Sequence, residues 1–355
     1  MNADVLRAQI EAPADERGFS GVCLATVQGE LVFSYASGFA HRGHRVPNTL
    51  TTRFAVASVT KMITAAATLS LMDQGRLELA TPLVELLPAE LLPHDVSPRL
   101  TMHHLLSHTS GIASYFDEEV EDWAPYLACW DIVPTYHVRA VRDLLPLFVG
   151  KPALAAPGGA MRYGNANYIL AGLVCEHVTG ATFADVVAEH VFDLAGMHAS
   201  TFAALDSDPA DLAVGYSRPT TPGGPWRSNI YSVPAVGLPD GGMITTANDL
   251  THFVDAVRTG RLLSPASTTA MLSSHATDPT DPDQHYGYGI WMTFVDGRVV
   301  RFGHGGSDPG IDATVRHYVD HGATIVVLAN VDQEGSDMAA ADVADLVVTE
   351  LGLHV

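Results

Sequence analysis

This chain reads as strand at both ends and as helix in the middle, and that arrangement constrains its fold more than any other feature. Residues 19–40 alternate loosely and carry β-branched or aromatic side chains (Val22, Leu24, Thr26, then Leu31, Val32, Phe33, Tyr35), with a break at Gln28-Gly29 that suits a hairpin. Near the other end, Tyr288–Phe294, Arg298–Gly303, Thr314–Val319 and Thr324–Ala329 are short, β-rich and separated by turns, before a closing helix over about 336–351. Between them the period changes. From Ser58 to about Gln74, the residues Met62, Ala65, Ala66, Leu69 and Met72 recur at spacings of three and four, and Gly75 supplies the stop. A second helix is expected after Thr101, carrying Leu105 and Leu106 and ending near Gly111. A third spans 165–179, opened by Asn165 and closed by Gly180. The pattern predicts an α+β fold: an antiparallel sheet built from both termini, flanked by helices, with an inserted mainly helical region. Residues 1–60 and 245–355 are expected to form the sheet domain and 61–244 the helical one. Residues 113–150, first acidic (Asp117, Glu118, Glu119, Glu121, Asp122) and then aromatic (Trp123, Tyr126, Trp130, Tyr136), read as irregular insertions or short helices packed as a surface subdomain. Residues 217–245 read as a long connection rich in Pro and Gly.

Composition narrows the functional classes. With 47% hydrophobic and 17% charged residues, the chain can build a sizeable core and is too weakly charged for disorder. A formal net charge of -21 argues against general affinity for nucleic acid or anionic membranes. The start, MNADVLRAQIEAP, has no basic segment followed by an apolar run, and no apolar stretch approaches bilayer length. Cys23, Cys129 and Cys175 are odd in number, widely spaced and without a CxxC pair, so they read as buried small side chains of a reducing compartment, and a cytoplasmic location is expected. Lysine occurs only at positions 61 and 151, every other cation being Arg. The scarcity of lysine gives Lys61 significance.

Three constellations carry chemistry. In Ser58-Val59-Thr60-Lys61, residues i and i+3 at a helix start share a face, so the serine hydroxyl and the lysine amine meet. A serine hydroxyl needs a base to attack a carbonyl, and lysine serves only if its pKa falls toward neutrality. Apolar neighbours (Val56, Ala57, Met62, Ile63) and the positive helix N-terminus push it that way. In Tyr163-Gly164-Asn165, a phenol before a helix can relay a proton, and the amide can orient a substrate carbonyl or the lysine. In His304-Gly305-Gly306-Ser307, at the end of a predicted strand, glycines let a substrate backbone approach closely. Each alone has a plain structural alternative: a capping serine with a surface lysine, a buried tyrosine with an asparagine cap, a glycine-rich hairpin turn.

Together and in this order, the three motifs match S-x-x-K, then Y-x-N, then K-T-G or H-x-G. The sequence resembles the serine β-lactamase and penicillin-binding-protein superfamily, in its class C β-lactamase, DD-peptidase and esterase branch, from about residue 20 to 335. Leu105-Leu106-Ser107-His108-Thr109-Ser110-Gly111, Pro157-Gly158, Gly241-Gly242-Met243-Ile244-Thr245-Thr246-Ala247 and Gly303-His304-Gly305-Gly306 share the likeness. The resemblance implies a β-lactamase/transpeptidase-like fold. It also implies acylation of Ser58, proton acceptance by Lys61, and Tyr163 as partner acid/base. Asn165 would contact the substrate together with His304, Gly305, Gly306 and Ser307, and the backbone N–H groups of Ser58 and Ser307 would bind the oxyanion. It implies no cofactor and no metal. Family members that process β-lactams carry Lys where this chain has His304, which is mostly neutral near pH 7. The expectation is therefore a serine hydrolase or acyltransferase acting on a small ester or amide (an esterase, a D-amino-acid amidase or peptidase, or a transacylase). The alternative within the family is a β-lactamase or DD-carboxypeptidase, and outside catalysis a penicillin-recognising binding protein. The oligomeric state is not set by the sequence.

Two further classes fit the sequence less well. His103, His104 and His108 form an HHxxxH whose i, i+4 pair has zinc-binding spacing, but no HExxH and no acidic third ligand accompany it, and these histidines are expected to cap and to pack. An α/β-hydrolase would need a GxSxG after the GHGGSDPG loop, and none follows.

Overall fold

A computed structural model describes residues 2–11, 18–118, 124–207, 209–221, 223–333, 336 and 338–353. Its principal elements are helix α1 (Ala3–Glu11), strands β1 (Gly21–Val27) and β2 (Glu30–Ser37), helices α2 (Thr60–Asp73) and α3 (Asn165–Thr179), strands β3 (Ala276–Thr277), β4 (Gln284–Tyr286), β5 (Trp291–Val295), β6 (Arg298–Asp308), β7 (Ile311–Tyr318) and β8 (Ala323–Ala329), and helix α4 (Ala340–Leu351). The eight strands form one sheet in the order β2-β1-β8-β7-β6-β5-β4-β3, every pairing antiparallel. The N-terminal hairpin turns on Gln28 and Gly29, both at positive φ (52° and 83°), the twist a two-residue hairpin requires. The free edge of β1 then accepts β8, from Gly21 opposite Ala329 to Val27 opposite Ala323. Both termini therefore build the sheet, and the α+β expectation is met.

Alternation assigns the two faces. Cys23, Ala25, Ile325 and Val327 point toward α1 and α4, packing with Leu6, Ile10, Val343 and Val347. Val22, Leu24, Val326 and Leu328 point the other way, into a larger core with α2 and α3. Because β8 is covered on both faces, all seven of its residues are buried, and all but Thr324 are apolar. Helix α2 is buried from Thr60 to Leu71, so it has no solvent face, and the hydroxyls of its row Thr60, Thr64 and Thr68 bond to backbone oxygens inside the core. Burying a side chain such as Leu69 contributes about 1.5–3 kcal/mol. Lys61, enclosed in the same helix, is its one buried charged side chain.

The structure corrects several boundaries. The motif His304-Gly305-Gly306-Ser307 is not at a strand end or in a turn: β6 runs on to Asp308, pairs with β7 throughout, and the turn falls at Pro309-Gly310. The glycines' low strand propensity hid this extension. Ser58 lies in a 3-10 turn, Ala57–Val59, with α2 proper starting at Thr60, and the closing helix starts at Ala340. Helix α1, strands β3 and β4, and helices Ala247–Arg258 and Pro265–Met271 were not anticipated. The long connection contains a strand pair, Tyr216–Ser217 with Arg227–Ser228, and ends on Ile244–Thr245, which pairs with Phe54–Ala55. In the 113–150 region, Ala124–Ile132 is a helix and Thr135–His137 and Val141–Leu147 are 3-10 turns; Glu119, Glu121, Asp122 and Trp123 lie outside the described residues. No single helix among the described residues is long and apolar enough to cross a membrane.

Candidate active site

The turn bearing Ser58 is held from three directions. Val56 N–H donates to Met243 O (3.1 Å), Thr60 Oγ1 donates to Ala57 O (2.7 Å), and Met243 N–H donates to Thr60 Oγ1 (3.1 Å). Ala57, just before the serine, is forced to φ 44°, a left-handed conformation that a non-glycine residue adopts only at a cost of about 1 kcal/mol. On the opposite side, Gly306 of β6 lies directly against this turn. A Cβ at 306 would sit 2.4 Å from Val56 O and 2.8 Å from Ser58 N, so only glycine lets the strand approach the serine. The first N–H groups of a helical turn have no partner within it, and they face this gap.

Lys61 is one turn beyond Ser58 and fully buried. Its Nζ donates to Ser58 Oγ, Asn165 Oδ1 and the backbone oxygen of Asp240, each at 2.7 Å. Two of these partners, both carbonyl oxygens, can only accept. If Lys61 loses a proton, its lone pair must therefore point at the Ser58 hydroxyl, the one partner able to donate. Burial lowers the Lys61 pKa, while the carboxylates of Glu118, Asp240 and Asp308 pull it back up. Burial is thus the dominant cause, as the apolar neighbours Val56, Ala57, Met62 and Ile63, all buried, foretold.

The Tyr163 hydroxyl sits beside Ser58, and its ring lies 5.0 Å from Lys61 Nζ and stacks on Trp291. Burial, with Glu118 second, pushes its phenol well above the ordinary range, so it stays protonated. Asn165 is the first residue of α3, delivered by the extended Gly164 before it. The sequence-predicted Ser58, Lys61 and Asn165 are therefore in one bonded group, with Tyr163 packed against it.

His304, Gly305, Gly306 and Ser307 line the same cleft, an opening of about 780 Å3 that also borders Ser58, Tyr163 and Trp291. Strand β5 pairs with β6 only as far as Gly303, so from His304 to Asp308 one edge of β6 is open. His304 does not bond Ser58. Its Nδ1 donates to Gly305 O, and its Nε2 accepts from the Tyr286 hydroxyl (3.2 Å). Both ring nitrogens are used by a neutral imidazole. Burial, then Lys61, push its pKa down to about 3.

Sequence reasoning missed the inner flank of the site. A smaller pocket of about 80 Å3 lies between Ser58, Asn165, Asp240, Glu118 and Asp308. The Asp240 carboxylate accepts from the Tyr115 hydroxyl, and burial raises its pKa. Asp308 meets the hydroxyl of Tyr126, and burial pushes it up to about 7. Glu118 is exposed as a residue, but its carboxyl turns inward to Asn165; desolvation there, opposed by Lys61, pushes it up to about 7. Asp240 falls within the stretch 217–245 that reads as a long connection and Glu118 within the acidic start of 113–150, so neither carried a signal.

The HHxxxH histidines diverge. His103 Nδ1 bonds the Tyr288 hydroxyl (2.8 Å), and His104 Nδ1 caps its helix at Thr101. His108, at φ 56°, turns into the core to accept from Gly164 N–H (3.2 Å). Among the described residues, no group of three His, Cys, Asp or Glu side chains is placed to hold a metal ion.

Comparison with known proteins identifies the family of the chain. A family model described as Beta-lactamase matches residues 6–350. The crystal structure of a penicillin binding protein from Bacillus halodurans is 37% identical, with a TM-score of 0.87 over 97% of this chain and 99% of that one. Esterase EstB of Burkholderia gladioli is 31% identical over 61% of this chain and 56% of its own length. A D-aminopeptidase of Cereibacter sphaeroides is 28% identical over 99% of this chain and 64% of its own length, so this chain spans about two thirds of that relative. The chain belongs to the beta-lactamase family, among the serine hydrolases and acyltransferases related to penicillin-binding proteins, D-aminopeptidases and esterases.

Proposed function

We propose that this protein transfers an acyl group from a small ester or amide through an acyl-Ser58 intermediate, and that its preferred acyl donor carries an amine. The observation that carries the reading is the Lys61 hydrogen-bond set, in which Ser58 is the sole partner able to give up a proton. Neutral Lys61 takes the Ser58 proton as Oγ attacks the carbonyl carbon. The oxyanion is received by the backbone N–H groups of Ser58 and Ser307. As the tetrahedral intermediate collapses, Tyr163 donates its proton to the departing oxygen or nitrogen and is reprotonated from the Lys61 ammonium. Water or another nucleophile then takes the acyl group by the reverse sequence. Asn165 holds both Lys61 and the substrate carbonyl region, and the open edge of β6 accepts the substrate backbone.

The inner pocket supports the amine. Around one lysine stand three carboxyl groups, Glu118, Asp240 and Asp308, so the pocket turns negative once Lys61 is neutral. An ammonium on the acyl side restores the balance, which fits the D-aminopeptidase likeness. The neutral His304 disfavours the β-lactamase or DD-carboxypeptidase alternative, because it offers no fixed cation to a carboxylate there. The bonded Ser58–Lys61 pair argues for chemistry over a binding-only role. The same proposal keeps 1–60 and 245–355 as the sheet domain, since every strand of the large sheet falls there, and 61–244 as the inserted helical domain. It also keeps a cytoplasmic location, supported by three free, buried cysteines.

A fluorophosphonate tests the reading. Intact-mass and peptide analysis should find one adduct, on Ser58. Labelling on Ser307 in its place, or no labelling, overturns it.

A further inference from the structure

We propose that Arg301 reads an anionic group on the leaving side of the substrate. The inference rests on the acyl-Ser58 reading and names what that site selects at its outer end. The large cleft runs from Ser58 along β6 to Trp291, Thr293, Gln284 and Arg301. Its floor includes Gly303 and Gly305, which contribute no side chains. Arg301 precedes His304 by three residues on an extended strand, about 10 Å along the chain.

The Arg301 guanidinium is aimed but not neutralised. Its Nε and Nη2 donate to Thr293 Oγ1 at 3.2 and 2.9 Å, and Thr293 is held in turn by Gln284 at 3.1 Å. That leaves Nη1 and one proton of Nη2 for a ligand. Neighbouring arginines are paired: Arg298 on the same strand with Asp320, and Arg316 on β7 with Asp345. Among the described residues, no carboxylate pairs with Arg301, although the chain has 40 acidic residues and a net charge of -21. The three acids that line the cleft wall, Glu118, Asp278 and Asp312, are engaged elsewhere, Glu118 at Asn165. Asp278 accepts from Thr280 N–H and Oγ1, and Asp312 from Ala340 N–H. An oriented guanidinium with free donors in a substrate cleft matches a carboxylate in charge and fork geometry. Because His304 is neutral, the first fixed cation met along β6 is farther from the reacting carbonyl than position 304. The carboxylate it fits must therefore be on an extended leaving group, such as the distal end of a short peptide.

The test uses two acetate esters, 3-(4-acetoxyphenyl)propionate and 3-(4-acetoxyphenyl)propionamide, which differ only in charge at the far end of the leaving phenol. In Arg301→Gln, kcat/KM for the carboxylate should fall about tenfold relative to the carboxamide, mainly through KM, as for loss of one partly exposed charge-assisted contact. Arg301→Lys should recover part of the loss. An unchanged carboxylate-to-carboxamide ratio in Arg301→Gln overturns the proposal, as does an equal fall for both esters, which would make Arg301 a structural residue. Carboxamide hydrolysis that survives Ser58→Ala sinks the acyl-serine reading itself, so the two failures are distinguishable.

Discussion

The two flanks of Ser58 are built on opposite principles. The inner flank is small, about 80 Å3, and gathers three carboxyl groups from segments far apart in sequence: Glu118, Asp240 and Asp308. The outer flank is wide, floored by glycine, and meets the substrate with an uncharged imidazole at His304. Both depend on the same physical lever, desolvation, acting on groups of opposite type. Burial raises the pKa of the carboxyl groups on one side and lowers that of an imidazole on the other. The contrast teaches that the charge preference of this site is not its net formal charge. It depends on which buried groups remain ionised at working pH, and it differs on the two sides of the scissile bond.

Both flanks serve one nucleophile, and the sharpest way to break that picture is Ser58→Ala. Turnover of p-nitrophenyl acetate should fall by at least about 10^4-fold with the fold retained by circular dichroism. Substantial residual activity would leave the two flanks without a common centre.

Next in size is Lys61, where the flanks meet. Lys61→Arg should be nearly as damaging as Lys61→Ala, each on the order of 10^3-fold in kcat, because arginine keeps the charge but does not deprotonate in a protein. An arginine variant that kept most of the rate would make Lys61 a purely electrostatic group. Tyr163→Phe should cost about a hundredfold, as expected for a lost proton relay, and a negligible change would remove it from the mechanism.

The inner flank carries a pH signature. Lys61 must be neutral to act, so kcat/KM should rise with pH through its lowered pKa. Glu118 and Asp308, both near 7, are protonated below that pH and ionised above it. Preference for a D-alanine p-nitroanilide over its N-acetyl counterpart should therefore grow between pH 6 and 8, by about tenfold at most for partly screened charges. Glu118→Gln should flatten the increase. A preference independent of pH would mean that the inner carboxyls do not meet the amine.

The outer flank gives the smallest effect. Short activated esters should turn over faster than a chromogenic cephalosporin. His304→Lys should shift the ratio toward the cephalosporin by about three- to tenfold, the value of one partly exposed charge contact. Efficient cephalosporin hydrolysis by the native protein would show that His304 does not mark the substrate change inferred here.

Much of this was legible in the residues themselves. Helical period put Ser58 and Lys61 on one face, the two-residue break at Gln28-Gly29 marked the hairpin, and strand signals at both ends implied a sheet built from both termini. These are local regularities, written in neighbours three or four positions apart or in strict alternation, so a sequence carries them openly. The likeness to a known family then tied Tyr163, Asn165 and His304 to the same cleft. Only the tertiary structure brought Glu118, Asp240 and Asp308 together, put Gly306 against the serine turn, and left Arg301 beside Thr293 with no paired carboxylate among the described residues. Such facts depend on which distant segments pack together and on how much water that packing removes. Convergence and desolvation are properties of the folded volume, and no local pattern of residues encodes them.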